Sequence, residues 1–187
     1  MPVRFGAEIQ ALSRKAGVAL ERFHAEWKRR ARCAASGGER HEGAARGGAI
    51  PARLLRAYRQ TDYRTLGGVV RIGRRAPDAV LVHLGGRAGG FVTAWNPFSR
   101  RMPDGWNRRM QRRLYERLRR HGVFPAEGSL GRWREAMLLV AGDPRLLVRL
   151  GRIFRQCAIV VVQGGRCARL VLLPRATCDS ASPGLRE

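Results

Sequence analysis

The run Cys157-Ala158-Ile159-Val160-Val161-Val162-Gln163-Gly164-Gly165-Arg166, continuing to Leu173, reads as strand, turn and strand. Two apolar runs separated by Gly-Gly form a β-hairpin by the ordinary logic of tight turns. Every position from Cys157 to Val162 is apolar, so that strand is expected inside the sheet with cover on both faces. If Gly164-Gly165 is a two-residue turn, Val162 faces Cys167 and Cys157 points to the other face. That geometry argues against a Cys157–Cys167 disulfide.

Working back from the hairpin, Asp143-Pro144 reads as a helix N-cap and first-turn proline. Leu146, Leu147, Leu150, Ile153 and Phe154 supply that helix's apolar stripe. Glu135–Ala141 reads as a strand closed by Gly142. Asp104 is the expected N-cap of a helix running to about Arg120 and ended by Gly122. Earlier strand-like runs are Val69–Ile72, Ala79–Leu84 and Phe91–Trp95, preceded by a short helix opening at Pro51 with Leu54, Leu55 and Tyr58 on its stripe. No βαβ alternation with a Gly-rich first turn occurs. The fold class predicted is α+β, a mostly antiparallel sheet with two principal helices packed on it.

This domain is expected over 51–174. Before it, Ile9, Leu12, Ala16, Ala19, Leu20, Phe23 and Trp27 recur at helical spacing and predict an amphipathic helix over about 7–33. Residues 35–48 are small, polar and Gly-rich, so 1–50 reads as helix plus linker and 175–187 as a flexible tail. The longest apolar runs, Ala136–Ala141 and Cys157–Val162, are far shorter than the ~20 residues of a membrane-spanning helix. Glu8 interrupts any apolar leader after Arg4. The expectation is a cytoplasmic protein without a transmembrane segment. The four cysteines (Cys33, Cys157, Cys167, Cys178) and four histidines have no zinc spacing, so neither metal nor cofactor is expected, and the thiols are expected to be buried and free.

The 187 residues include 37 basic and 14 acidic side chains, a net charge of +23. Residues 1–51 hold 10 basic and 5 acidic, residues 52–174 hold 25 and 7, and the last thirteen hold 2 of each. The excess therefore belongs to the folded part. Such a surface attracts polyanions, RNA or DNA included, in a salt-dependent way. The 104–120 helix concentrates it. At ~100° per residue, Trp106, Met110, Leu114 and Leu118 cover about a third of the circumference. Arg108, Arg109, Arg112, Arg113, Arg119 and Arg120 lie opposite, either to contact phosphates or as a solvated face. Asn107 falls inside the apolar arc, where it either pins a loop or lines a polar pocket.

Phe91-Val92-Thr93-Ala94-Trp95-Asn96-Pro97-Phe98-Ser99 begins as a strand and is stopped by Asn-Pro. With Tyr58-Arg59-Gln60-Thr61-Asp62-Tyr63, Asn107, Trp133-Arg134-Glu135 and Phe154-Arg155-Gln156-Cys157-Ala158, the order and spacing resemble the family catalogued as domain of unknown function 3293. The resemblance covers roughly 55–173 and implies a small single-domain bacterial protein with no established activity. In that family Phe154-Arg155-Gln156 is usually Phe-Gly-Gln. Met137 replaces an expected serine two residues after Glu135, and Trp106 an expected acid before Asn107, so this chain cannot use that hydroxyl or that acid.

The polar residues shared with the pattern are Thr93, Asn96, Asn107, Glu135 and Gln156, placed where a sheet gathers them at one rim. Amides and hydroxyls hydrogen-bond a polar ligand but do not titrate near neutrality. Glu135 is the one credible general base of the five, its alternative being an ion pair with an arginine. Seven acids in 52–174 are too few for a two-metal or paired-carboxylate mechanism once caps are discounted, and no Walker A loop or nucleophile elbow is present. The reading is a pocket for an unknown small polar molecule, bound or transformed. The alternative is a nucleic-acid module using the arginine face.

Overall fold

A computed structural model describes residues 50–173. The predicted N-terminal helix and linker, the tail, Cys33 and Cys178 lie outside the described residues. Within them the protein is α+β. Helix α1 (Ala52–Gln60) leads into β1 (Asp62–Thr65) and β2 (Gly68–Val70), followed by α2 (Asp78–His83) and β3 (Gly89–Val92). Then come a 3-10 turn at Pro97–Ser99, α3 (Asp104–Arg117), β4 (Val123–Leu130), β5 (Trp133–Ala141), α4 (Pro144–Ile153), β6 (Ala158–Val162) and β7 (Arg169–Leu172). The seven strands form one sheet in the order β2-β1-β4-β5-β3-β6-β7, and each neighbouring pair is antiparallel.

Side chains alternate between the two faces, and both faces carry a core. On one, Leu114 and Leu118 of the α3 region and Leu147, Leu150 and Phe154 of the α4 region pack on Val92, Leu138, Val140, Ile159 and Val161. On the other, Val80 and Leu84 pack on Tyr63, Phe91, Phe124, Leu139, Val160 and Val162. The unbroken apolar run of β6 has the physical reason expected of it: Ile159 and Val161 serve one core, Val160 and Val162 the other. Glycine is required at position 90, where an added Cβ would stand 2.2 Å from the Val160 carbonyl oxygen.

The observed elements correct several expectations. Ala79–Leu84 is not a strand but lies in helix α2 and its C-cap, because Val80 and Leu84 are the buried pair, at i and i+4, while Val82 is 75% exposed. Strand β4 has no counterpart in the sequence reading. Pro125, Glu127, Gly128 and Ser129 break its apolar alternation, yet it pairs on both sides, and the Pro125 carbonyl accepts the Thr65 hydroxyl at 3.1 Å. Strand β1, too short and polar to show an alternation of its own, is likewise fixed by its pairing with β2 and β4. Helix α3 starts with Asp104 as its first helical residue rather than its cap and stops at Arg117, so Arg119 and Arg120 lie beyond it. The Asp143 cap stands, its carboxylate accepting the Arg145 N–H at 2.7 Å.

The closing hairpin has the expected partners in a different register. Val161 pairs with Arg169, which puts Val162 opposite Ala168 and Cys167 opposite Gln163. Cys157 and Cys167 are then on the same face, six strand positions or ~20 Å apart. Distance, not facing, keeps them apart, and both are free thiols, Cys157 buried and Cys167 exposed.

A buried polar rim between two left-handed turns

Strand β3 leaves the sheet at Thr93. The Thr93 hydroxyl donates to the Ala136 carbonyl at 2.9 Å and accepts the Trp95 N–H at 3.0 Å, turning the chain away from β5. Trp95 packs on Ala136. Asn96 then takes a left-handed conformation (φ 45°, ψ 63°), and Phe98 and Ser99 follow with φ of 53° and 58°. Left-handed backbone costs an L-residue ~1–2 kcal/mol, so three within four residues need support from their surroundings.

That support comes from two sides. From α3, the Asn107 carbonyl oxygen accepts the Asn96 N–H at 3.0 Å, and its amide nitrogen donates to Asn96 Oδ1 and to the Met102 carbonyl, both at 3.1 Å. Asn96 Oδ1 also accepts the Met102 N–H at 3.0 Å. One turn along the same helix, Gln111 Oε1 accepts the Ala94 N–H at 2.9 Å, while its Nε2 is buried with no hydrogen-bond partner. The second support is the turn that ends α4. The Gln156 N–H donates to the Gly151 carbonyl and the Arg155 N–H to the Arg152 carbonyl, the paired bonds of a Schellman cap. That cap puts Arg155 in the left-handed position, with φ 54°. The two turns meet directly: the Phe98 N–H donates to the Arg155 carbonyl at 2.7 Å, and Gln156 Nε2 donates to the Trp95 carbonyl at 2.8 Å and to that of Phe154 at 3.1 Å. Asn96, Phe98, Ser99 and Arg155 are the non-glycine residues with positive φ among those described.

Under this contact lies Glu135. It occupies a cross-strand row with Gly128 and Tyr63, on the same face as both. Its carboxylate accepts Asn96 Nδ2 at 3.3 Å, and no arginine of the described residues pairs with it. The ion-pair alternative is therefore not what the structure contains. Burial raises the Glu135 pKa to about 7, and the hydrogen bond from Asn96 opposes the rise without cancelling it. At the solvent edge, the exposed Ser99 hydroxyl lies 3.2 Å from the Tyr58 hydroxyl and donates to Cys157 Sγ at 3.7 Å. The Tyr63 hydroxyl donates to the Tyr58 carbonyl at 3.2 Å. Burial, with the Glu135 charge adding to it, pushes both tyrosines well above the usual phenol range.

Thr93, Asn96, Asn107, Glu135 and Gln156 are thus brought together. Thr93, Asn107 and Gln156 spend their bonds mainly on backbone and frame the turns, whereas Asn96 and Glu135 bond side chain to side chain. Gln111, Tyr58, Ser99 and Cys157 were not foreseen as site residues, although Gln111 is four residues from Asn107 and shares its arc. Of the predicted arginine face, Arg109, Arg112 and Arg113 are exposed on α3 and Arg108 is half-buried. Arg119 folds back, its Nε donating to the Glu116 carbonyl at 3.3 Å. Among the described residues no three His, Cys, Asp or Glu side chains form a metal-binding group, and no helix is long and apolar enough to cross a membrane.

The fold and rim define an α+β domain built around a buried polar network. The model of the family described as Protein of unknown function (DUF3293) matches residues 92–159, a stretch holding all five of those polar residues, and establishes over that stretch the resemblance drawn from the motifs. The match begins after the Tyr58–Tyr63 segment. No curated protein and no solved structure matches the chain.

Arg155 stands at a position whose backbone favours glycine, and among the described residues no hydrogen bond or ion pair engages its exposed side chain. Arg155→Gly is expected to stabilise the domain by ~1 kcal/mol, seen as a raised melting temperature. A second expectation follows from Glu135. Its folded pKa of about 7 lies above its unfolded value near ~4.3, so between these the folded state binds more protons and stability falls as pH rises. Charging Glu135 then costs the folded state up to ~3 kcal/mol above pH ~7. In urea denaturation, the stability of Glu135→Gln relative to the parent should grow by about that amount from pH ~4 to pH ~8. A pH-independent difference would count against it.

Proposed function

We propose that the domain binds a small polar molecule at the rim formed by Asn96, Ser99, Tyr58 and Glu135, and that Glu135 exchanges a proton with it. One observation carries this reading: a buried carboxyl without a cationic partner among the described residues sits beside the side chain of Asn96, in a turn held at a backbone cost. Strained backbone persists where its surroundings over-determine it, and it concentrates at sites of binding and catalysis. A carboxyl titrating near neutrality takes up and gives back protons at cellular pH, as a general acid–base group must. The Asn96 amide and the Ser99 and Tyr58 hydroxyls offer both donors and acceptors, which suits an uncharged ligand rich in hydroxyl, amide or carbonyl groups. Thr93, Asn107 and Gln156 act as positioning residues for these groups. The chemistry requires no cofactor, and the two free thiols fit a reducing cytoplasm.

A second reading, association with RNA or DNA, rests on the exposed Arg109, Arg112 and Arg113 of α3 and on the charge of 52–174. The rim residues contain no cation, so the two readings separate cleanly.

Titration of the labelled protein with a panel of small polyols, amides and hydroxy acids, followed by amide chemical shifts, tests the first reading. Ligands are expected to shift the amides of residues 96, 98, 99 and 135–137, and Ser99→Ala to weaken their binding at least fivefold while leaving the melting temperature unchanged. Binding that maps elsewhere, or that Ser99→Ala leaves untouched, would overturn it.

A further inference from the structure

The opposite face of the same sheet end has a different chemistry. Asp62, Ser129 and Arg134 form one cross-strand row of β1, β4 and β5, and Arg64 and Glu127 pair in a neighbouring row on that face. Because successive residues alternate faces, Arg134 points away from the side that Glu135 occupies. With Arg59, near the end of α1, and Arg71, just past β2, the side chains of Asp62, Arg64, Ser129 and Arg134 line an open cleft of about 480 Å³. We propose that this cleft binds the phosphate groups of a small phosphorylated ligand of nucleotide size.

The charge count favours an anion: four guanidinium groups line the cleft with one carboxylate, that of Asp62. Three of the guanidiniums, those of Arg64, Arg71 and Arg134, are also held in place. The Asp62 carboxylate takes Arg71 Nε at 2.7 Å on one oxygen and Arg64 NH2 at 2.8 Å on the other. Arg64 Nε donates in addition to the Ser129 hydroxyl at 3.2 Å. Arg134 is tethered to Glu127 at 3.4 Å and to the Gly131 and Trp133 carbonyls at 3.0 and 3.1 Å. Side chains fixed in advance lose less freedom when a ligand arrives. The hydrogen bond from Arg71 holds the Asp62 carboxyl below the usual carboxylate range, so the clamp stays charged throughout the physiological pH range. Arg71 engages Asp62 through Nε alone, leaving its terminal amines for the paired bonds that guanidinium makes to phosphate.

Size and lining narrow the class. The volume falls within the ~300–1,000 Å³ of ordinary small-molecule sites. Leu130 is the one large apolar residue in the lining, which fits a highly charged ligand and not a greasy one. No aromatic ring lines the cleft, and single-stranded nucleic acid is held largely by stacking on such rings. The observations therefore favour a small phosphorylated compound over a nucleic-acid strand.

Calorimetric titration of the full chain with pyrophosphate, ADP and a twelve-nucleotide single strand tests the proposal. Pyrophosphate or ADP is expected to bind at one saturable site. Arg59→Gln/Arg71→Gln should weaken that binding at least tenfold, and Arg109→Gln/Arg112→Gln, an equal loss of charge on α3, by less than twofold. ADP binding more tightly than pyrophosphate would assign a nucleotide, and equal binding a phosphate compound without need of a base. Equal losses in the two variants would reduce the effect to bulk charge and overturn the site. Failure of both small probes to bind, with the strand alone losing affinity in the cleft variant, would overturn the small ligand.

Discussion

Two turns with left-handed backbone are docked on each other at the rim of the sheet, and the arrangement of polar groups beneath them depends on that contact. The bonds are few: Phe98 N–H to the Arg155 carbonyl, and Gln156 Nε2 to the Trp95 carbonyl. Neither turn is favourable by itself. The 96–99 segment carries three left-handed non-glycine residues, and the end of α4 carries one. A hydrogen bond nets ~0.5–1.5 kcal/mol in a folded protein, against ~1–2 kcal/mol for each such residue, so the direct contacts alone do not cover the strain. The side chains of Asn107 and Gln111 make up the difference by saturating the backbone of residues 94–96 from α3.

This division of labour accounts for the composition of the rim. Groups that hold backbone need fixed donors and acceptors, which amides provide whatever the pH. A group that performs chemistry needs a charge state within reach of neutrality, and burial gives Glu135 that property. Tyr63 and Gly128 share its row, and the gap left by the missing side chain at 128 is filled by the Met137 sulfur, 3.1 Å from where a Cβ on Gly128 would sit. Trp133 lies beside that gap, its ring within 3.5 Å of where a Cβ on Gly128 would sit. The arginines are kept off this face at Glu135, and where they gather around Asp62 they sit across the sheet. The surface is strongly cationic, yet the one fully buried carboxyl of the rim is isolated from it.

Local rules made part of this legible from residues alone. Asp143-Pro144 announces α4 because a cap and a fixed φ act within three residues, and the apolar run at 157–162 announces a strand covered twice. Where tertiary pairing overrides local preference, the sequence misleads. β4 exists because β1 and β5 satisfy its backbone on both sides, despite Pro125 and Gly128. α2 resembles a strand because its four apolar residues, Ala79–Val82, with Leu84 at its C-cap, fit either period, and its helical state shows only in the burial of Val80 and Leu84. The rim's members could be picked out from the motifs. Their roles could not, since whether Gln156 faces a ligand or a carbonyl depends on Trp95, sixty-one positions away in the chain. The left-handed state of Arg155 was hidden in the same way: a non-glycine side chain masks a position that the backbone reserves for glycine.

The docked turns bury Glu135 with no cation beside it among the described residues and so hold its proton near neutral pH. Carbon-13 NMR of the Glu135 side-chain carboxyl, followed through a pH titration of the parent protein, measures this directly. A midpoint near 7 is expected. A midpoint at or below ~4.3, where free glutamate titrates, would show the carboxyl to be solvated or paired and would contradict the account.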